Sequence, residues 1–165
     1  MNTQALTVRW CVAMLALCSL GLSGAALNAS AAADAPVDPI LGRWLTEPRD
    51  GIIEITRAAD NSYQGRIIGG NAPGRLDLHN PDPQRRQQLL LGQTILQGMR
   101  ADGEGSWSGG TIYDPDSGRT YKCHVELLDH ERLKVRGYIG VSLLGRSQTW
   151  SRYLGAALQL PPAAH

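Results

Sequence analysis

Thr120-Tyr121-Lys122-Cys123-His124-Val125-Glu126-Leu127 is the part of the chain in which polar and less polar residues alternate most regularly. Successive side chains of a β-strand point to opposite faces, so this period of two indicates a strand with one buried and one solvated face. The residues that share the predicted core face are Tyr121, Cys123, Val125 and Leu127. The same rhythm dominates from Leu41 onward, where helical periodicity is scarce.

Eight segments fit this strand pattern. They comprise residues 42–46, 51–57, 62–68, 93–99, 106–113, 119–127, 132–139 and 146–153. Turn residues separate most of them, as in Pro48-Arg49-Asp50-Gly51 and Asp114-Pro115-Asp116-Ser117-Gly118, at the spacing of roughly 8–12 residues that is typical of all-β domains. Consecutive strands are therefore expected to pair as antiparallel hairpins.

Residues 69–92 form a longer connection. It contains Asn80-Pro81-Asp82-Pro83, a turn and helix-start signal, and then residues 84–91, for which one or two helical turns are expected with Asp82 near their start. This segment is expected to cover one end of the domain.

The predicted fold class is all-β: a single antiparallel eight-stranded β-barrel with a loop or short-helix insertion. Closure of eight strands removes exposed sheet edges and leaves an interior that is either packed or wide enough for one small ligand. A sandwich of two sheets is the alternative architecture.

Residues 1–33 differ in composition from the rest of the chain. Arg9 is their only charged side chain, residues 10–27 are predominantly apolar, and Ala31-Ala32-Ala33 supplies the small residues that a signal peptidase requires. The pattern predicts a signal peptide that is cleaved after Ala33 or, as second choice, after Ala31.

The predicted mature protein is one exported domain, residues 34–154, followed by a disordered tail at residues 155–165. We expect it in the periplasm or secreted, without a stable membrane span after cleavage. A retained membrane anchor and a lipid on Cys18 are weaker alternatives. Leu17 stands where a lipoprotein signal carries a small residue.

Charge and cysteine content narrow the classes of function. The chain has 16 Lys and Arg against 15 Asp and Glu, and loss of Arg9 with the signal leaves the mature domain formally neutral. A nucleic-acid partner is therefore excluded, because such proteins carry a basic excess. Cys123 is alone in the mature chain and is expected to be a small buried hydrophobic residue.

Three further segments are distinctive when they are taken together. They are residues 109–121 (GGTIYDPDSGRTY), 135–140 (VRGYIG) and 144–152 (LGRSQTWSR), with Gly42-Arg43-Trp44, Asp77-Leu78-His79-Asn80-Pro81 and Leu91-Gly92 upstream. In this combination the chain resembles a bacterial exported family, the domain-of-unknown-function family 2147. The resemblance spans roughly residues 39–152, the length of a single domain.

The resemblance implies a lipocalin-like barrel of the calycin type, with a ligand cavity and no established catalytic residues. In calycins a Gly-x-Trp on the first strand packs beneath a basic residue on or just after the last strand. Gly42-Arg43-Trp44 and Arg152 match these positions. Trp44 and Arg152 are therefore expected to close the barrel, with the guanidinium over the indole.

The candidate ligand-binding residues come from the last strands and one turn. Arg136 and Tyr138 share a face of one predicted strand, and Arg146, Gln148 and Trp150 share a face of the next. If both faces point inward, guanidinium groups and an aromatic wall would hold the carboxylate or phosphate head of an amphiphile. The alternative is that they form a solvated outer face.

Tyr113 and Tyr121 flank the turn at residues 114–118 and are candidates for closing the barrel mouth. An ordinary cross-strand pair is the alternative for these two tyrosines.

No enzymatic motif, metal site or cofactor site is predicted. Ser106-Trp107-Ser108-Gly109-Gly110 lacks the first glycine of a nucleophile elbow and lies in a strand. Asp77, His79 and Asp82 contain metal-ligating groups. The Asn-Pro-Asp-Pro pattern of their loop instead favours a turn in which Asp77 forms a hydrogen bond with the backbone. The chain is therefore expected not to be an enzyme.

Two functions remain open. The first is a periplasmic protein that binds a small hydrophobic or amphipathic molecule in the barrel. The second is an envelope interaction module with a packed barrel, as a homodimer or with another envelope protein. Sequence cannot separate them, because strand tilt and stagger decide whether a barrel is hollow.

Overall fold

The computed structural model describes residues 38–156. The predicted signal peptide, residues 1–33, and residues 157–165 of the predicted tail lie outside this part of the chain. Within residues 38–156, no helix has both the length and the apolar character needed to cross a membrane.

Eight β-strands account for most of the described residues. They are β1 (Gly42–Leu45), β2 (Gly51–Arg57), β3 (Tyr63–Gly70), β4 (Thr94–Gly103), β5 (Ser106–Asp114), β6 (Arg119–Asp129), β7 (Arg132–Tyr138) and β8 (Gly145–Arg152). Each strand pairs with the next one along the chain, and β8 pairs antiparallel with β1 through Trp44–Arg152 and Leu45–Ser151. The closed barrel confirms the predicted all-β fold class and rules out the two-sheet sandwich.

The main boundary differences lie at the ends of hairpins. β3 continues through two glycines at which sequence reasoning ends it, because Gly69 and Gly70 still pair with Ile52 and Gly51. A side chain at Gly70 would collide with the Asp50 carbonyl oxygen, so this close approach requires glycine.

The topology gives the barrel two distinct ends. The β1–β2, β3–β4, β5–β6 and β7–β8 connections lie at one end, which we call the mouth end. The other connections and residues 38–41 lie at the opposite end, which we call the closed end. Strands of alternating direction place successive connections at alternating ends.

The core fills the half of the barrel nearest the closed end. Its largest side chains include Trp44, Met99, Trp107, Leu133 and Trp150, each no more than 3% exposed. Inward-facing residues of the mouth half, such as Ile67 and Ile112, are only partly buried. The interior is therefore packed in one half and open in the other.

The longest connection, residues 71–93, lies at the mouth end and is called the mouth loop below. It contains a single 3-10 helix, Pro83–Arg85, whose N-cap Asp82 accepts a hydrogen bond from the Gln84 backbone N–H at 2.9 Å. The helix ends after one turn because the following residues instead form a bridge between Leu76 and Leu89. The structure therefore contains the smaller of the predicted one or two turns, and the turn begins at Asp82 as expected.

Candidate functional site

The closed end is sealed by Trp44 and Arg152. The guanidinium carbon of Arg152 lies 4.1 Å from the centroid of the Trp44 ring, and Trp44 itself is fully buried. The indole N–H donates to the Ile40 carbonyl at 2.9 Å. These two residues thus lie in the arrangement that the family resemblance implies.

Arg152 also binds the backbone segments that cross this end. Its guanidinium donates to the carbonyls of His130 at 2.7 Å, Leu41 at 3.1 Å and Pro39 at 2.8 Å. A Cβ atom at Gly42 would lie 3.2 Å from the same guanidinium. Side chain and backbone groups therefore occupy the space that a ligand would need at the closed end.

At the mouth end, the strand register decides which side chains face inward. Directly opposed residues of an antiparallel pair project to the same face. Arg146 lies opposite Gly137, and Gln148 lies opposite Val135, which is a buried core residue. Arg146 and Gln148 therefore belong to the inner face, yet both are exposed to solvent.

The apolar wall beside them comes from strands β3, β5 and β6. Tyr121 lies opposite Ile112 on the inner face, and Ile67 lies opposite the core residue Ile53. All three wall residues are partly exposed. We call the open inner surface formed by Ile67, Ile112, Tyr121, Arg146 and Gln148 the mouth cup.

The floor of this cup is Trp150, which is 1% exposed. Its indole N–H donates to Gln148 Oε1 at 2.9 Å. Because that bond uses the amide oxygen, it leaves the Gln148 NH₂ group as a donor on the same inner face as Arg146. Donors above an apolar wall suit an anionic or polar head group on a small apolar body.

Arg136 and Tyr138 do not belong to this cup, and the expectation that they point inward is wrong. Arg136 lies opposite Ser147 on the outer face, and its guanidinium donates to Ser147 Oγ at 2.9 Å. It also donates to the carbonyls of Ser142 at 2.7 Å and Leu143 at 3.2 Å. Arg136 therefore holds the β7–β8 connection from outside the barrel.

The two predicted mouth tyrosines have different positions. Tyr121 faces the cup, with its hydroxyl 3.4 Å from Ser117 Oγ. Tyr113 lies on the opposite face of its strand and donates to Asp77 Oδ1 at 2.6 Å. They do not face each other across the strands, because Tyr113 pairs with Thr120 and Tyr121 pairs with Ile112.

Sequence reasoning missed the partners of Asp77. This carboxylate is fully buried and accepts one hydrogen bond from the Tyr113 hydroxyl and one from Asn80 Nδ2 at 2.6 Å. Burial, and then the bond to Asp77, raise the pKa of Tyr113 to about 12. The expected backbone partner of the Asp77 carboxylate is therefore replaced by two side chains.

The mouth loop is also fixed to the β5–β6 turn. Arg75 forms an ion pair with Asp116, and a side chain at Gly118 (φ 67°) would collide with the His79 carbonyl oxygen. Nowhere in residues 38–156 do three metal-ligating side chains come together in a way that would hold a metal ion. The Arg75–Asp116 ion pair and the Tyr113–Asp77 hydrogen bond attach the loop to the barrel.

Two further depressions lie on the outer wall of the barrel. One, of about 400 Å³, is lined mainly by Gln64, Gln97, Thr111 and the residues around Asp60. The other, of about 260 Å³, lies beside Glu54 and Arg66. Polar groups form about half of the lining of the first and most of the lining of the second, and neither lies inside the barrel.

Comparison with known proteins places these features in a family. A family model described as an uncharacterized protein conserved in bacteria (DUF2147) matches residues 42–152. The chain belongs to this family. The match confirms the resemblance stated from the sequence and runs from Gly42 to Arg152, the residues that meet at the closed end of this DUF2147 barrel.

A solved structure shows the same fold. Protein HP1028 from the human pathogen Helicobacter pylori, which belongs to the lipocalin family, superposes with a TM-score of 0.62 at 21% sequence identity. The similarity covers 68% of this chain and 82% of that protein. The DUF2147 domain therefore has a lipocalin-like barrel. A search of curated proteins finds no match to this chain.

Proposed function

We propose that this DUF2147 protein is an exported, non-enzymatic binding protein that holds a small apolar or amphipathic molecule in its mouth cup. The observation that carries the proposal is the position of Arg146 and Gln148. Both face the barrel interior and remain solvent-exposed, above a core that is packed. An inner polar pair that is open to solvent is a place for a ligand head group.

The shape of the interior limits the ligand. Trp44, Trp107 and Trp150 occupy the closed half, so a ligand reaches only as far as the Trp150 floor. Its apolar part would contact Ile112 and Tyr121, and its polar head would accept hydrogen bonds from Arg146 and Gln148. A small molecule fits this space better than a long acyl chain that is fully enclosed.

The chemistry of the cup supports binding rather than catalysis. Arg146 and the Gln148 amide are hydrogen-bond donors and do not act as general bases near neutral pH. Cys123, a potential nucleophile, is buried in the core, and burial raises its pKa to about 12. Such a thiol suits packing, since the thiolate is the reactive form.

Export is supported by the sequence pattern of residues 1–33. Intact-mass measurement of the protein purified from the periplasm tests it directly. The expected mass is that of a chain beginning at Asp34. A mass that includes residues 1–33 would contradict cleavage, and recovery from the cytoplasm alone would contradict export.

Binding is tested by native mass spectrometry of the mature protein purified gently from its own periplasm, followed by denaturation and extraction. A stoichiometric adduct is expected, and the extract then identifies the ligand. A bare monomer would contradict the proposal. A bare dimer would instead favour the interaction module.

A pair of arginine variants tests the site once an adduct is found. Arg146→Ala should weaken binding by roughly tenfold to a hundredfold, the effect of losing a charged hydrogen bond. Arg66→Ala is the matched control, because Arg66 is exposed on the outer wall opposite Glu54. Equal binding by both variants would remove Arg146 from the site.

A further inference from the structure

The connection between β7 and β8, residues 139–144, exposes the largest group of apolar side chains at the mouth end. Ile139 and Val141 are each 60% exposed, Leu144 is 73% exposed and Leu143 is 89% exposed. Monomeric soluble proteins rarely leave adjacent large apolar side chains in water unless they form a contact surface. We call residues 139–144 the apolar tip.

The apolar tip has a defined conformation. Arg136 donates to the carbonyls of Ser142 and Leu143, and the Leu144 N–H donates to the Val141 carbonyl at 3.1 Å. Gly140 adopts a φ of 70°, which favours glycine. The side chains are thus held away from the barrel, and little ordering is needed before they contact a partner.

The charges around the apolar tip are basic. Arg146 is the second residue after it, Lys122 lies opposite Tyr138 on the neighbouring strand, and Arg119 lies three residues nearer the mouth. None of these three cations has an ion-pair partner among residues 38–156. Three acids lie nearby. Asp114, opposite Arg119, accepts from Ser117 Oγ at 2.7 Å and from the Asp116 N–H at 3.0 Å. Glu47 accepts from the Thr149 N–H at 2.7 Å, and Asp116 pairs with Arg75.

At the closed end most cations instead form ion pairs, and Arg152 is held by backbone carbonyls and the Trp44 ring. Five ion pairs of the described chain lie in that half: Arg43–Glu54, Arg57–Asp38, Arg100–Asp60, Arg132–Asp129 and Lys134–Glu126. Among residues 38–156, cations without an ion-pair partner therefore lie mainly in the mouth half, and Arg119, Lys122 and Arg146 are among them.

We propose that the apolar tip docks the barrel, mouth first, on a bilayer that contains anionic phospholipid. Apolar side chains that enter the boundary between head groups and acyl chains, with basic residues beside them, give this kind of peripheral binding. A second copy of the chain fits less well. Four aliphatic side chains offer roughly 400 Å², at about 100 Å² each, against the ~800 Å² that each partner contributes to a standard interface.

Docking in this orientation places the mouth cup against the membrane surface. It does not depend on whether the cup holds a ligand, since the apolar tip lies outside the cup. The two proposals therefore fail separately: vesicle binding tests the tip, and an adduct tests the cup.

The test is flotation of the mature protein with vesicles of phosphatidylcholine alone and of phosphatidylcholine mixed with phosphatidylglycerol. Binding is expected on the mixed vesicles and should decrease as salt screens the charges. Leu143→Asp should lower it at least about tenfold, because a carboxylate cannot enter the apolar boundary. Leu154→Asp is the control, since Leu154 is 88% exposed just beyond the closed end.

Two further variants test the charge component. Arg119→Gln and Lys122→Gln should remove much of the preference for phosphatidylglycerol without changing the melting temperature, because both side chains are exposed. Absence of binding to the mixed vesicles at low salt would overturn the proposal, as would an equal loss with Leu154→Asp. A dimer in analytical ultracentrifugation that Leu143→Asp makes monomeric would overturn it in favour of self-association.

Discussion

Arg152 combines several interactions at one position, because its guanidinium contacts the Trp44 ring and three backbone carbonyls. We expect Arg152→Ala to lower the free energy of unfolding by about 2–4 kcal/mol, from the lost cation–π contact and the lost charged hydrogen bonds. Urea denaturation of the mature protein measures this loss. The loss for Arg152→Lys should be intermediate, since an ammonium group cannot reproduce the hydrogen-bond geometry of the planar guanidinium.

The matched control is Arg100→Ala. Arg100 forms an exposed ion pair with Asp60, and such pairs contribute about 0–1 kcal/mol. Equal stability of Arg152→Ala and Arg100→Ala would show that Arg152 does not hold the closed end together.

Cys123 illustrates how burial controls reactivity at a single residue. Its side chain is fully buried, and burial raises its pKa to about 12. We expect the native mature protein to react negligibly with Ellman's reagent at mildly alkaline pH and to react with one equivalent in urea. Fast stoichiometric reaction of the native protein would contradict the packing role.

Arg136 and Arg146 show how far the direction of a side chain can be predicted from the sequence alone. Leu133, Val135 and Gly137 alternate with Arg136, and this alternation already indicates that Arg136 faces outward. The glycine obscured the pattern, because it carries no side chain to mark the core face. On β8 the buried Trp150 fixes the parity that turns Arg146 inward.

At the scale of elements, hydrogen bonds from Arg136 stabilise the conformation of the apolar tip. We expect Arg136→Ala to increase amide hydrogen exchange in residues 139–144, since three hydrogen bonds to Ser142, Leu143 and Ser147 are lost. The free energy of unfolding should decrease by only about 1–2 kcal/mol, because the strands remain paired. Exchange in β3 and β4, on the opposite side of the barrel, serves as the internal control. Unchanged exchange in the tip would contradict this role.

The mouth loop depends on the bond between Tyr113 and Asp77. Tyr113→Phe removes a donor from a buried carboxylate, which should cost about 1–3 kcal/mol. The loop should then open more often, so trypsin should cleave faster at the exposed Arg85 and Arg86. Tyr138→Phe is the matched control, because its strand is outside this network. Equal cleavage rates for both variants would contradict the anchor.

The same bond predicts a pH dependence. The folded-state pKa of Tyr113, about 12, lies above the ordinary value of 10, because burial and Asp77 disfavour the phenolate. The stabilisation is therefore complete below pH 10 and is lost as the pH rises toward 12. Urea denaturation across this interval should show a steeper loss of stability for wild type than for Tyr113→Phe. Parallel curves would contradict the assignment.

The sequence predicted the strands more accurately than it predicted the connections between them. The alternation that defines β6 depends on local burial, so the core strands are found with small boundary errors. The mouth loop instead depends on contacts between positions far apart in the chain, such as Asp77 with Tyr113 and Arg75 with Asp116. No local pattern contains that information.

At the scale of the molecule, the barrel is filled unevenly. The family resemblance suggested the closure by Trp44 and Arg152, but composition could not show how far the interior is packed. That depends on which large side chains converge from different strands. Trp107 and Trp150 pack in the core of the closed half, whereas Gly137 contributes no side chain to the interior of the mouth half.

Gly137 therefore offers a test of the uneven interior. A Cβ atom at this position would lie 3.4 Å from Ile112 Cγ2 and from Tyr121 Cβ, so a larger side chain there extends into the mouth cup. We expect Gly137→Leu to abolish the ligand adduct in native mass spectrometry while the protein still folds. Overpacking should lower its stability by about 1–3 kcal/mol.

Gly74→Leu provides the matched control for this substitution. Gly74 lies in the mouth loop, and a Cβ atom there would meet nothing within 4 Å, so the adduct should persist. If Gly137→Leu folds and still carries a full adduct, the ligand does not occupy the cup and binds elsewhere on the protein. If Gly137→Leu loses the adduct and Gly74→Leu keeps it, the open half of the barrel is the binding site, because the two variants add the same side chain and differ only in where it lies.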